Sequence, residues 1–170
     1  MVMNNKRERE IYLAGGCFWG MQAFFDQVEG VLSSVVGYAN GHKGAPTYEE
    51  VCSQKTGFAE TLKLVYDDTL VTLDKLLDCF FMVIDPCSLN KQGEDEGDQY
   101  RSGIYYSDPR DREVIVAYMA KIAPAYQQPL VTETAALRNF YPAEEYHQNY
   151  LEKNPQGYCH IDLSLFKQVD

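Results

Sequence analysis

The sequence has no long apolar segment and few basic residues. Its longest apolar run, residues 79–84, is far too short to span a bilayer. The first ten residues are polar and charged and lack the apolar region of an export signal, so we expect neither export nor a membrane anchor. With 15 basic against 25 acidic residues, the net charge of −10 does not provide the positive surface that binds phosphate backbones. We therefore expect no nucleic acid and no membrane as partner.

Cysteines with the spacing of a metal site or a disulfide framework are also missing. The five cysteines are an odd number at irregular intervals, and none forms a Cys-x-x-Cys pair. The chain has only three histidines and no His-Glu-x-x-His motif, so we expect no bound metal. Because this pattern does not fit a secreted disulfide-bonded domain, it predicts a reducing, cytoplasmic location. The cysteines are Cys17, Cys52, Cys79, Cys87 and Cys159.

Length and hydrophobic periodicity predict one mixed domain. A chain of 170 residues with 45% hydrophobic content can bury one sizeable core, so we expect a single domain over residues 1–170. The alternation of short strands and helices predicts an α+β two-layer sandwich with a mixed, mostly antiparallel sheet. Strands are predicted at 10–14, 33–38, 59–66, 102–106 and 131–135. Helices are predicted after Cys17, Thr72 and Asp108-Pro109, with a surface loop over 86–99 and a last helical stretch from Pro142.

Cys17 is the strongest candidate for a reactive residue. It follows Gly15 and Gly16 at the predicted start of a helix, where free backbone N–H groups and the helix dipole favour a thiolate over a thiol. A thiolate in such a position is a nucleophile. The structural alternative is a small buried cysteine after a tight turn, which is the commoner role for a cysteine taken at random.

The segment Gly15-Gly16-Cys17-Phe18-Trp19-Gly20 resembles the catalytic signature of the A-type peptide methionine sulfoxide reductases. The resemblance implies a ferredoxin-like core with a long coiled C-terminal tail. It also implies reduction of the S-epimer of methionine sulfoxide, free or in proteins, as a repair of oxidative damage. Neither an organic cofactor nor a metal is implied, and thioredoxin is the implied reductant. Further similar segments follow in the family's order at 37–41, 48–53, 56–60, 85–86, 90–93, 99–102 and 141–148.

Glu60 is the implied proton donor to the sulfoxide oxygen. Independently of the resemblance, Glu60 shares the face of its predicted strand with Leu62 and Leu64, and desolvation there would keep its carboxyl group protonated near neutral pH. The structural alternative is a glutamate at a strand end that reaches solvent. The resemblance makes Tyr48 and Tyr100 hydroxyl donors to the same oxygen.

The resemblance assigns further residues around Cys17. Phe18 and Trp19 are similar to the aromatic wall that receives the S-methyl group of the substrate, although they can equally be core aromatics. Asp85 matches an aspartate near the attacking cysteine, and its ordinary role before a proline is in a turn. The attack would leave Cys17 as a sulfenic acid, which a second thiol converts to a disulfide.

Cys159 is the expected second thiol. It lies in a tail rich in Gly, Pro and Asn, predicted to be mobile over residues 154–170, that resembles the tail of family members with a C-terminal resolving cysteine. Cys52 and Cys87 are the alternatives for this role, although Cys52 also fits packing on a helix face. Cys79, in the apolar stripe of the helix after Thr72, is expected in the core.

Four positions depart from the family pattern. Phe58 and Ile84 stand where the family usually has histidines, and both changes make their surroundings less polar. Cys87 stands in place of the usual threonine and would add a thiol near the site, and Lys91 replaces an arginine. The departures leave the nucleophile and acid in place, so they bring into question the pH profile and substrate preference rather than the activity.

Two other functions fit part of the pattern. Cys17 could act in acyl transfer with His147 as base, and release of an acyl product without a thiol reductant would favour that reading. A redox sensor could instead use a disulfide between Cys17 and Cys159 to change its binding to a partner, and would be oxidised once without turnover. Neither alternative requires Glu60 and the tyrosines. A monomer is expected in each case.

Overall fold

The computed structural model describes residues 7–168 and contains a six-stranded sheet with helices packed on it. The strands of this sheet are β1 (Glu8–Ala14), β2 (Val31–Ala39), β3 (Ala59–Asp67), β6 (Gly103–Tyr106), β7 (Glu133–Ala136) and β8 (Phe140–Pro142), and a separate small hairpin contains β4 (Lys91–Gln92) and β5 (Asp95–Glu96). The helices are α1 (Phe18–Phe25), α2 (Tyr48–Cys52), α3 (Leu73–Val83), α4 (Arg110–Ile122) and α5 (Tyr150–Lys153).

The strand order is β7-β6-β1-β3-β2-β8. All neighbouring strands are antiparallel except β6 and β7, which are parallel. The four central strands are β6, β1, β3 and β2. Along the chain they occur in the order β1-α1-β2-β3-α3-β6, and this βαββαβ arrangement is ferredoxin-like. Strands β7 and β8 extend it at the two edges. The predicted fold class and its mixed, mostly antiparallel sheet are confirmed.

Side-chain alternation along β1 separates the two faces of the sheet. Ile11 and Leu13 are fully buried in the main core, which also contains the apolar faces of α1 and α3. Tyr12 and Ala14 point to the opposite face and pack in a smaller cluster with Tyr105. The helices thus cover one face of the sheet, as expected for two layers.

Local capping explains where two helices begin. Thr72 precedes α3, and its side chain accepts a hydrogen bond from the Lys75 backbone N–H at 3.1 Å. Thr47 precedes α2 and forms a capping box with Glu50. The α3 helix ends at Val83, just before the Asp85-Pro86 turn, as the sequence predicts.

The last third of the chain differs from the prediction. Pro142 does not begin a helix but ends β8, which pairs with β2 through Gly37. The elements that follow are short: a 3₁₀ turn at Glu145–His147, the one-turn helix α5 and a 3₁₀ helix at Leu163–Gln168. The predicted loop over 86–99 contains the β4–β5 hairpin, so it has more regular structure than expected.

Candidate active site

Cys17 lies between the end of β1 and the first turn of α1. It is the N-cap residue of α1, it is only 7% exposed, and a backbone hydrogen bond from Trp19 stabilises its thiolate. The chain reaches this position through Gly16, which has a φ of +84° that favours glycine. A side chain at Gly15 would lie 2.6 Å from Ile84, so the turn also needs a small residue there.

The pKa of Cys17 is raised and not lowered, contrary to the expectation from its helix position. Burial is the largest cause, and the charges of Glu60, Asp95 and Cys159 act in the same direction. The hydrogen bond from Trp19 opposes them but is weaker. The site without substrate therefore holds a neutral thiol at neutral pH.

Glu60 lies on β3 directly behind the first turn of α1. It is 1% exposed, and its Oε1 accepts a hydrogen bond from the Phe18 backbone N–H at 3.2 Å. Burial raises the pKa of Glu60 to about 8, the Phe18 hydrogen bond lowers it, and the charge of Asp95 raises it further. Its Oε2 is buried without a hydrogen-bond partner in the described part of the chain. The carboxyl group thus carries a proton at neutral pH and has one oxygen free for a ligand.

Tyr48 and Tyr100 come to this site from different segments. Burial raises the pKa of both hydroxyls, and the charge of Glu60 raises both further. The Tyr48 backbone N–H donates to Glu144 at 2.9 Å, and the other carboxylate oxygen of Glu144 accepts from Tyr38 on β2 at 2.8 Å. Glu144 therefore fixes the start of α2 to the sheet beside the site.

Phe18 and Trp19 form part of an aromatic group around His147. The Trp19 indole N–H donates to Nδ1 of His147 at 2.9 Å, and its ring stacks on Tyr150 with centroids 3.8 Å apart. Phe18 is 1% exposed and its ring lies 5.2 Å from that of His147. From the sequence, His147 is a candidate only for a base, and no local pattern marks His147 or Tyr150 as the residues that orient Trp19.

The acidic residues whose charges act on Cys17 are Glu60 and Asp95, whereas the Asp85 carboxylate takes part in a turn. Asp85 is exposed, and its carboxylate accepts a hydrogen bond from the Cys87 N–H at 3.0 Å, so it stabilises a turn. Asp95 on β5 has a buried Oδ2 without a partner in the described residues. Its charge raises the pKa of Cys17, Glu60 and Tyr100. The sequence analysis missed Asp95 because its acidic neighbours resemble a solvated loop.

Cys159 lies against the first turn of α1. A side chain at Gly20 would lie 2.8 Å from the Cys159 Sγ, and the charge of Cys159 raises the pKa of Cys17. The thiol donates to the Ile161 carbonyl at 3.2 Å. The mobility of the tail stays a prediction, and its residues 169–170 lie outside the described residues.

The other three cysteines lie in different surroundings, and all five are free thiols. Cys52 is half-buried at the end of α2, where its side chain interacts with Tyr48. Cys79 is fully buried in the core, as predicted. Cys87 is half-buried and its thiol contacts the Gln128 carbonyl at 3.4 Å.

Within residues 7–168, no group of three or more His, Cys, Asp or Glu side chains is arranged to hold a metal ion. No helix in this part of the chain is long and apolar enough to cross a membrane.

A cysteine at a helix start, with a second thiol packed on the same helix turn and a protonated carboxyl group nearby, defines a candidate site for redox chemistry through a cysteine. The family model for peptide methionine sulfoxide reductase matches residues 9–169. The peptide methionine sulfoxide reductase MsrA of Clostridium acetobutylicum is 52% identical over 94% of this chain and 99% of that protein. The chain belongs to the peptide methionine sulfoxide reductase family.

Solved structures agree with this assignment. Mxr1 from Saccharomyces cerevisiae in its reduced form is 38% identical with a TM-score of 0.86, over 94% of this chain and 92% of that chain. The same yeast protein in complex with Trx2 is 28% identical with a TM-score of 0.62, over 88% of each chain.

Proposed function

We propose that this protein reduces the S-epimer of methionine sulfoxide, free or in proteins, to methionine, and so repairs oxidative damage. The observation that carries the proposal is the carboxyl group of Glu60. It is protonated at neutral pH, it lies behind the nucleophile, and its Oε2 has no partner among the described residues. A sulfoxide oxygen accepts a proton as its bond to sulfur weakens, and Glu60 is placed to donate one.

The first step converts Cys17 to a sulfenic acid. The Cys17 sulfur attacks the sulfoxide sulfur and forms a sulfur–sulfur bond, while the thiol proton and the Glu60 proton go to the sulfoxide oxygen, which leaves as water. A water molecule then adds to the Cys17 sulfur, the sulfur–sulfur bond breaks to release methionine as a thioether, and one proton returns to Glu60. The net reaction converts a thiol and a sulfoxide to a sulfenic acid and a thioether, with two electrons passing from the Cys17 sulfur to the substrate sulfur. Because the Cys17 pKa is raised by the charge of Glu60, protonation of Glu60 at neutral pH removes one barrier to forming the thiolate.

The surrounding side chains match the needs of a sulfoxide group. The hydroxyls of Tyr48 and Tyr100 share the electrostatic surroundings of Glu60 and are donors to the same oxygen. Phe18 and Trp19 offer an aromatic surface to the S-methyl group, since sulfur and methyl groups contact ring faces and edges favourably. For the aspartate of the site, the interaction of its charge with Cys17, Glu60 and Tyr100 favours Asp95 over Asp85.

The cycle closes through Cys159. Its thiol attacks the sulfenic sulfur of Cys17, water leaves, and a disulfide forms. The position of Cys159 beside Gly20 supports this role over Cys87, whose thiol contacts Gln128. A thioredoxin then reduces the disulfide by thiol exchange, a partner supported by the complex of the yeast relative with Trx2.

The test is dithiothreitol-dependent turnover of the separate S- and R-epimers of a blocked methionine sulfoxide. We expect turnover of the S-epimer alone, abolished by Cys17→Ser and slowed about 10²–10⁴-fold by Glu60→Gln, the range for a lost general acid. Glu29→Gln, at an exposed site, is the matched control. Absence of turnover for both epimers would refute the proposal, and turnover of the R-epimer would mean a different reductase class.

Oligomeric state and location stay predictions. The monomer is tested by light scattering of the reduced protein, where a mass near 19.4 kDa is expected. A cytoplasmic location rests on the unpaired cysteine pattern, and cell fractionation tests it directly.

A further inference from the structure

His160, which follows Cys159, is not used in the reaction above. Its Nε2 lies 2.9 Å from the Gly15 carbonyl oxygen, two residues before Cys17. We infer that His160 is a positioning residue, which holds Cys159 against the catalytic turn and thereby sets the rate of disulfide formation. The inference rests on the proposed role of Cys159 as the resolving thiol.

The contact surface of His160 is made of glycines. A side chain at Gly16 would lie 2.8 Å from the His160 Nε2, and one at Gly93 would lie 3.5 Å from its Cβ. At Gly20, an added side chain would lie 2.8 Å from the Cys159 Sγ and 3.6 Å from the His160 ring. Side chains at Gly16 and Gly20 would therefore prevent the tail from approaching the turn this closely, whereas the contact at Gly93 is an ordinary one.

The hydrogen bond fixes the protonation of the ring. A carbonyl oxygen can only accept, so the His160 Nε2 carries the proton and Nδ1 is left as an acceptor. That Nδ1 is buried without a partner in the described part of the chain, and burial lowers the pKa of the ring. His160 is thus a neutral donor that ties the tail to the residues carrying the nucleophile. On its other side the tail is held by Ile161, which is 5% exposed in the main core.

His160 acts on Cys159 through position and not as its base. The pKa of Cys159 is raised by burial, and a smaller effect in the opposite direction comes from the Ile161 backbone N–H donating to the sulfur. Disulfide formation requires the Cys159 sulfur to reach the Cys17 sulfenic acid, form the sulfur–sulfur bond and release the oxygen as water. The rate of this step depends on how often the two sulfurs meet, which a fixed tail increases. The reacting groups in the attack on the substrate are Cys17 and Glu60, and neither belongs to the tail.

The test separates the two steps in a single turnover without external reductant. Methionine formation is followed by rapid quench, and disulfide formation by loss of the second free thiol. We expect His160→Ala to form methionine at the wild-type rate but to form the disulfide about tenfold more slowly, as for the loss of one buried hydrogen bond. His160→Gln keeps an N–H donor at a similar reach, and we expect it to recover most of the lost rate. His42→Ala, at an exposed histidine, is the matched control.

Each other outcome overturns the inference in a recognisable way. Disulfide formation at the wild-type rate in His160→Ala would refute it directly. Equal slowing of both steps, without recovery in His160→Gln, would indicate a general loss of structure instead of positioning. Cys159→Ser is measured in parallel. If Cys159→Ser still loses a second thiol at the wild-type rate, Cys159 is not the resolving thiol, and the inference about His160 fails with that role. If Cys159→Ser loses no second thiol, the role of Cys159 is supported, and the His160 variants then test the inference separately.

Discussion

The burial of Glu60 that supports catalysis must reduce the stability of the fold. In the unfolded chain this carboxyl group has its ordinary pKa of 4.5, and in the folded protein burial raises the pKa to about 8. Between these values the unfolded chain is ionised while the folded protein must keep a proton. Glu60 therefore lowers the free energy of unfolding least below pH 4.5, and this destabilising effect grows as the pH rises towards 8.

The size of this cost follows from the two pKa values. At pH 7 the unfolded carboxyl group lies about 2.5 pH units above its pKa, and each unit is worth about 1.36 kcal/mol. Glu60 thus lowers the free energy of unfolding by about 3 kcal/mol at pH 7, and by under about 1 kcal/mol at pH 5. Glu60→Gln removes the titration but keeps the shape of the side chain and an oxygen that can accept from Phe18.

We expect the free energy of unfolding of Glu60→Gln, minus that of the wild type, to increase by about 3 kcal/mol between pH 5 and pH 8. The measurement is urea denaturation in the presence of a phosphine reductant. Subtracting the wild-type free energy from that of the variant cancels the contributions of the other titrating groups. Any change in packing adds the same amount to this difference at every pH. Glu29→Gln, at an exposed site, is the matched control. Parallel pH curves for Glu60→Gln and the wild type would refute the burial argument.

Two further predictions concern charge and packing. Asp95→Asn removes a charge that raises the pKa of Glu60, so in single-turnover assays the loss of rate at alkaline pH should begin at lower pH than in the wild type. Gly37→Ala would place a Cβ 2.4 Å from the Phe140 ring and should lower the free energy of unfolding by about 1–3 kcal/mol in urea, as in overpacked cores. Gly44→Ala, where an added Cβ would have no neighbour within 4 Å among the described residues, should change it by less than about 0.5 kcal/mol.

Features that depend on neighbouring residues could be predicted from the sequence. The face of β3 that carries Glu60 follows from strict alternation, and Glu60 is 1% exposed there. The α3 helix follows from its apolar stripe and the Thr72 cap. For both elements, local patterning and tertiary packing act in the same direction, so each could be derived without knowledge of the rest of the fold.

Features that depend on distant residues could not be predicted. The contact of Trp19 with His147 joins positions 128 residues apart, and that of Gly15 with His160 joins positions 145 apart. The helix predicted from Pro142 is absent for the same reason, because a distant strand determines the structure of this segment. This segment pairs with β2 at Gly37, where a Cβ would lie 2.5 Å from the Tyr141 carbonyl oxygen, so tertiary pairing overrides the local pattern.

Phe58, one of the departures from the family pattern, has a structural explanation. Its ring is 1% exposed, lies edge-on to Tyr141 with centroids 5.9 Å apart, and fills the space over Gly41, where a Cβ would lie 2.2 Å from the ring. These contacts are apolar packing contacts. The structure therefore indicates that Phe58 contributes to stability through packing.

Phe58→His tests this explanation. The change would bury two ring nitrogens in an apolar site and should lower the free energy of unfolding by about 2 kcal/mol. The rate of methionine formation should decrease at the same alkaline pH as in the wild type. This is expected because the substitution leaves the buried position of Glu60 and the hydrogen bond that Glu60 accepts from Phe18 in place. Urea denaturation and the pH dependence of single-turnover methionine formation give the two values. If the alkaline decrease in rate moves to another pH and the free energy of unfolding does not change, residue 58 affects the pKa of Glu60, and the packing argument is wrong.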